Sequence, residues 1–231
     1  MTPCNRRFGL AVCTLAGLLT LQASWAGALT LTLRSGTPVP TQVDPSITYL
    51  VEPSGACGVG FPAAFGPADF AAAVGGPNAW SVPAYPVWNQ GLKCDPAANW
   101  VSTSAGLPSR SALYAIQFVI QDPCCIKSAT LDFCWSVDDF LGDPTGPNPA
   151  GVYLNGIPLP SISGGNYLTE SQVSGVDITK LVHCGTNTLY VYDRDAGCAV
   201  AGVRFSATLQ INKCDTPVQS TTWGRLKTLY H

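Results

Sequence analysis

Two stretches of strict alternation constrain this chain more than any other feature. Ala129, Leu131, Phe133, Trp135 and Val137 are apolar, while Ser128, Thr130, Asp132, Ser136 and Asp138 between and beside them are polar. Val203, Phe205, Ala207, Leu209 and Ile211 repeat the pattern against Arg204, Ser206, Thr208, Gln210 and Asn212. Successive side chains on extended backbone point to opposite faces, so a period of two marks a strand with one buried face. Tyr114, Ile116, Phe118 and Ile120 make a third such run, Leu29, Leu31 and Leu33 a shorter one, and Ile47 to Val51 another strand. An apolar sheet face must be covered by a second layer. Charged residues make up only 11% of the chain and β-branched residues are frequent, so the expected class is all-β, a two-sheet sandwich.

Between the two long runs lie Val152-Tyr153-Leu154-Asn155-Gly156, then Val176-Asp177-Ile178-Thr179, then Gly185-Thr186-Asn187-Thr188-Leu189-Tyr190-Val191. Asn155-Gly156 predicts a hairpin turn, because both positions tolerate positive φ. Asp177 predicts the cap of a turn over Ile178 to Val182. This series resembles the galactose-binding-like jelly roll. It is most similar to the non-catalytic sugar-binding domain that accompanies beta-galactosidase and beta-glucuronidase type hydrolases, and to similar domains in secreted bacterial proteins of unknown role. The likeness runs from roughly Ser111 to Ile211, about half of the chain that follows the leader described below. It implies a jelly-roll sandwich whose joining loops meet a ligand. One fold hosts many functions, so the ligand must be argued from residues.

Met1 to Ala26 reads as a secretory signal peptide: Arg6 and Arg7, an apolar run from Phe8 to Leu21, and Ser24-Trp25-Ala26 as a small-x-small cleavage site. That run is short for a membrane span and no second one follows. Residues 27–214 are expected to form one β-sandwich domain, and 215–231 a linker and tail. Removing Arg6 and Arg7 from the 12 basic residues leaves 10 against 14 acidic, and net charge moves from −2 to −4. No basic stripe remains, which argues against a nucleic-acid partner. Removal of the leader also takes two of the 10 cysteines and leaves Cys57, Cys94, Cys124, Cys125, Cys134, Cys184, Cys198 and Cys214. An even count in an exported chain predicts disulfides. Zinc needs closely spaced cysteine or histidine pairs, and His183 and His231 are the only histidines. Cys57 with Cys94 is the simplest local pairing, and the adjacent Cys124 and Cys125 are expected to seek different partners.

Residues 53–108 are rich in Gly, Pro and Ala. Pro67 to Val74 predicts a short helix, opened by Pro67 and stopped by Gly75-Gly76. The rest reads as a loop-rich elaboration, held by a disulfide and packed on the sandwich through its aromatics.

Three constellations bear on function. The loop acids Asp138, Asp139 and Asp143, followed later by Asp193 and Asp195, suit a structural calcium ion, with Asp138, Asp139 and Asp143 as the named ligands. The competing expectations are turns and caps, with Arg194 paired to one of them, or a glycosidase carboxylate pair. Tyr167, with Tyr153 and Trp88, offers rings on which a sugar stacks, and Asn166, Glu170 and Asn155 offer hydrogen bonds. Core burial is the alternative for Trp80, Trp88 and Trp100. No nucleophile motif of the Gly-x-Ser-x-Gly kind occurs. The tail places Trp223, Leu226, Leu229 and Tyr230 on one helical side, as a sorting tag or a tag that docks to a protein partner would; a frayed end or a tail folded back on the sandwich is the competing expectation.

Together these readings predict a secreted, non-catalytic module that binds carbohydrate or a surface polymer, located outside the cell, on its surface or in the periplasm. A cell-surface structural protein and a glycoside hydrolase acting through loop aspartates are the alternatives.

Overall fold

A computed structural model of the chain describes residues 28–37, 39–106, 110–121 and 125–214. The expected leader, Cys124, the linker and the tail Trp223 to His231 lie outside the described residues. The strands are β1 (Ala28–Arg34), β2 (Gln42–Val51), β3 (Asn78–Val82), β4 (Trp100–Ser102), β5 (Ala112–Ile120), β6 (Ile126–Asp138), β7 (Phe140–Leu141), β8 (Val152–Leu154), β9 (Ile157–Pro158), β10 (Ser171–Asp177), β11 (Gly185–Arg194) and β12 (Gly202–Lys213). One helix, α1 (Pro67–Val74), interrupts them. The class is therefore all-β, as the alternation predicts.

Every pairing is antiparallel, in the order β10-β6-β12-β4-β3-β2-β5-β11-β8-β9, with β1 on β12 and β7 on β11. β12 meets β6 along its length and gives its other edge to β1, except where Val203 meets Val101 of β4. The sheet curls through β4 and β3 so that two halves face each other. Phe133 and Phe205 from one half join Tyr114, Ile116 and Val191 from the other in a single buried cluster. Phe133 stacks on Phe205 at 5.7 Å between ring centres. Each such side chain contributes about 1.5–3 kcal/mol by leaving water, so the two alternating runs define the interior.

The elaboration covers the outer faces. On β5 and β11, Leu113, Ala115, Tyr190 and Tyr192 point outward and are buried under Phe61 and Phe70, with Phe65 packed alongside. α1 forms because Pro67 suits the first turn and Asp69 Oδ2 accepts the Gly66 N–H at 2.8 Å. It stops where Gly75 donates to the Ala71 carbonyl. Gly76 is obligatory: a Cβ there would lie 1.9 Å from the Tyr49 carbonyl. On β6 and β12, Arg204 and Ser206 point outward yet are buried, because residues near Asn89 and Asp95 lie over them.

Two expectations are corrected. The stretch after α1 is not all loop: β3 and β4 lie in it and carry the sheet from one half to the other. Both are too short, and too closely bounded by prolines or turns, to announce themselves by period. Cys57 does not pair with Cys94. Cys57 bonds Cys198, Cys94 bonds Cys134 and Cys125 bonds Cys214; Cys184 is disulfide-bonded as well. The bonds of Cys57 and Cys94 tie the elaboration to a strand and a strand end of the sandwich rather than to itself, and Cys125–Cys214 joins the ends of β6 and β12.

Candidate functional site

The loop acids gather at one end of the sandwich. β6 ends at Asp138, just before Asp139, and β11 ends in Asp193-Arg194, just before Asp195. Leu189 and Val191 face the interior, and Asp193 is the next residue of the same parity. It is fully enclosed, and neither carboxylate oxygen has a hydrogen-bond partner. The Tyr114 hydroxyl, also enclosed, has none. Tyr114 opposes Val191 on β5, one inward position from Asp193. Asp195 is buried too: Oδ1 accepts from Gly197 and Cys198 N–H at 2.9 and 3.1 Å, and Oδ2 is unpartnered. Asp138 Oδ2 accepts the Trp88 indole N–H at 2.9 Å, and Asp139 Oδ2 accepts the Ala196 N–H at 2.8 Å. Burial, reinforced by Asp139, pushes the Asp138 carboxyl up to about 7, against the opposing pull of Trp88. Burial, then the charges of Asp138, Asp195 and Asp139, drives the Asp193 carboxyl far above the usual range.

Asp143 is engaged elsewhere. Its Oδ2 accepts from Arg194 Nε at 3.3 Å, and its Oδ1 closes a turn by accepting from Thr145 and Gly146 N–H. The ion pair expected of Arg194 therefore falls on Asp143, and Asp143 has no oxygen left unpartnered.

The aromatic and amide residues singled out in sequence divide into two places. Trp88 is buried, with its ring 4.2 Å from that of Trp100. Tyr167 packs half-buried against that cluster, and its carbonyl accepts the Asn89 N–H. Asn166 folds back on its own loop: Oδ1 accepts from Leu168 and Thr169 N–H. Glu170 accepts from Lys93 and Cys94 N–H and so holds that loop to the elaboration. Among the described residues, Cys94, Cys134 and Glu170 are the one trio of metal-ligand side chains whose ligand atoms all lie within 4.8 Å. Both sulfurs belong to a disulfide, so the trio is a structural clasp. Beside Trp88 lies a cavity of about 210 Å³ walled by Pro83, Tyr85, Pro86 and Val200.

Tyr153 and Asn155 sit elsewhere, on the β8–β9 hairpin. Asn155 and Gly156 adopt φ of 51° and 82°, the turn that the pair predicts. Asn155 ties this turn to the strand end beside it: Nδ2 donates to Leu181 O and Asn187 Oδ1, and Oδ1 accepts the Thr188 N–H. A groove flanks the hairpin. One part, about 400 Å³, is walled by Phe65, Tyr153 and Pro147, Pro149, Pro158 and Pro160. The other, about 560 Å³, is walled by Phe70, Tyr190, Asn155 and Ile157. Both parts include Phe65 and Gly156 in their walls. Phe65 stands edge-on to Tyr153 at 5.6 Å, and Phe70 lies 4.7 Å from Tyr190. The Tyr153 hydroxyl makes no hydrogen bond within the described residues, and burial alone raises its pKa to about 12. Phe65 and Phe70 were not candidates in the sequence. The Pro67 helix signal beside them was the available clue, since a helix on a sheet face must bring apolar side chains to it.

No protein-family model matches this chain, and no curated protein matches it in sequence.

Proposed function

We propose that this chain is an exported, non-catalytic binding module of galactose-binding-like type, which takes carbohydrate in the groove between α1 and the β8–β9 hairpin. The observation that carries the reading is that the rings of Phe65, Phe70 and Tyr190 line the groove beside the unpartnered Tyr153 hydroxyl. Sugars present apolar CH faces to rings and hydroxyls to polar tips, so such a wall suits them. The two parts of the groove fall in the size range of small-ligand sites, about 300–1,000 Å³, whereas the cavity beside Trp88 falls below it. The groove is rigid: four prolines, a fixed hairpin turn and a packed helix form it, so little ordering opposes binding. The disulfides fit an oxidising compartment.

The test is a glycan array with polysaccharide pull-down, using the chain from residue 27 onward. Tyr153→Phe keeps the ring and removes the hydroxyl, and Phe65→Ala removes the platform. Both are expected to weaken binding at least about tenfold, by the energy of a hydrogen bond or a ring contact. Tyr167→Ala is expected to leave binding unchanged. Silence across a broad array, or loss with Tyr167→Ala alone, refutes the assignment.

A further inference from the structure

The geometry points to a binding site for a hard divalent cation of the calcium type at the end of the sandwich, formed by Asp193 and Asp195 with Asp138 and Asp139 beside them. This inference is independent of the carbohydrate reading. The cluster of acids alone would not carry it; the orphaned buried groups do. Asp193 leaves two enclosed oxygens unpartnered, Asp195 leaves one, and the Tyr114 hydroxyl leaves another. Buried polar groups are almost always satisfied, and an enclosed carboxyl with neither oxygen hydrogen-bonded is costly in either protonation state.

No cation among the described residues answers that demand. Arg194 is the nearest, but its guanidinium is directed away: Nε to Asp143, Nη2 to the Gly58 carbonyl at 3.1 Å and Nη1 to the Asp195 carbonyl. The described guanidinium beside these carboxyls is thus engaged elsewhere. A calcium-type ion takes about six to eight oxygens at roughly 2.4 Å from carboxylates, carbonyls, hydroxyls and water, without strict geometry. Asp193 and Asp195 supply charged ligands from one strand end. Asp138 and Asp139 supply more from the strand end facing it. No three of these oxygens yet lie within 4.8 Å of one another, so entry of the ion draws the two strand ends together or recruits water between them. The site replaces the set Asp138, Asp139 and Asp143 expected from sequence: Asp143 drops out because Arg194 and its own turn occupy it, and Asp193 and Asp195 enter.

The test uses the full chain stripped with EDTA, titrated with CaCl2 by calorimetry and followed by thermal unfolding. One equivalent is expected to bind. At calcium a hundredfold above Kd, Tm should rise by roughly 5–10 °C. Asp193→Asn should weaken binding by more than about 100-fold, beyond what loss of an outer-shell partner costs. Asp195→Asn keeps the acceptor for Gly197 and Cys198 and is the second variant, should Asp193→Asn fail to fold; it should weaken binding by at least about tenfold. Asp177→Asn, which removes an exposed acid elsewhere, should bind as the parent does. Absence of heat and of any Tm change with calcium overturns the proposal, as does undiminished binding in the Asp195→Asn variant.

Discussion

Replacing Phe205 with Ala tests whether the long alternating runs build the interior. Phe205 is fully buried on β12, stacked on Phe133 and adjacent in register to Trp135. Truncating a buried Phe to Ala removes its transfer energy and leaves a cavity, together about 3–5 kcal/mol. The stack on Phe133 holds part of that, about 0.5–1.5 kcal/mol. Phe205 has no exposed surface, and its neighbours Phe133 and Trp135 are themselves buried, so the upper half of the range applies. For a domain of this size each kcal/mol moves Tm by about 2–4 °C, so the loss is roughly 8–20 °C. Gln210→Ala, on the same strand but exposed on the other face, should stay within about 0.5 kcal/mol. The assay is urea unfolding under non-reducing conditions, with thermal unfolding beside it. Similar small losses for the two variants would refute the assignment of faces, and with it the two-layer body.

Further outcomes follow from the same structure. Cys57→Ser with Cys198→Ser opens a link spanning 141 residues and should lower unfolding free energy by about 3–5 kcal/mol, read from urea midpoints. Asn155→Ala leaves the Leu181 carbonyl and the Thr188 N–H without their partner and forces Ala to positive φ. It should cost about 2–4 kcal/mol by the same measurement. The Tyr153 pKa is raised in the folded chain, from 10.0 to about 12, because burial disfavours the phenolate. Its contribution to stability is therefore complete below pH 10 and is lost as pH rises from there through about 12; phenolate absorbance in Tyr153→Phe against the parent checks this. Asp177, whose carboxyl the Thr179 hydroxyl and N–H hold below its ordinary value, should titrate below 3.8 by NMR. Its contribution is present above the unfolded value and fades as pH falls through the folded one.

Much of this fold is legible in the chain because the determining signals are local and periodic. The alternation at 129–137 and 203–211 is buried on the side it predicts. Asn155-Gly156 turns where positive φ is cheap, and Pro67 to Val74 is helical between its punctuation marks. What was not legible depends on non-local covering. Leu113, Ala115, Tyr190 and Tyr192 face outward by parity, and only the arrival of Phe61 and Phe70 from the elaboration buries them. Arg204 is buried by the segment around Asn89 and Trp100, which its own strand does not announce. Cysteine partners depend on the same docking, hence Cys57 with Cys198 rather than Cys94. The acids show both cases. That Asp143 belongs to Arg194 needs coordinates, but Asp193 continues the inward parity of Leu189 and Val191, so a charge aimed at the interior was visible in the chain.

The carbohydrate surface we propose is the wall of rings beside the β8–β9 hairpin. Its most direct test is amide NMR of the labelled chain during titration with the tightest oligosaccharide from the array. The expected result is saturable shifts at Phe65, Phe70, Tyr153, Gly156 and Tyr190. Shifts concentrated instead at Ala84, Tyr85 and Val200, or at Tyr167 and Leu168, would contradict it.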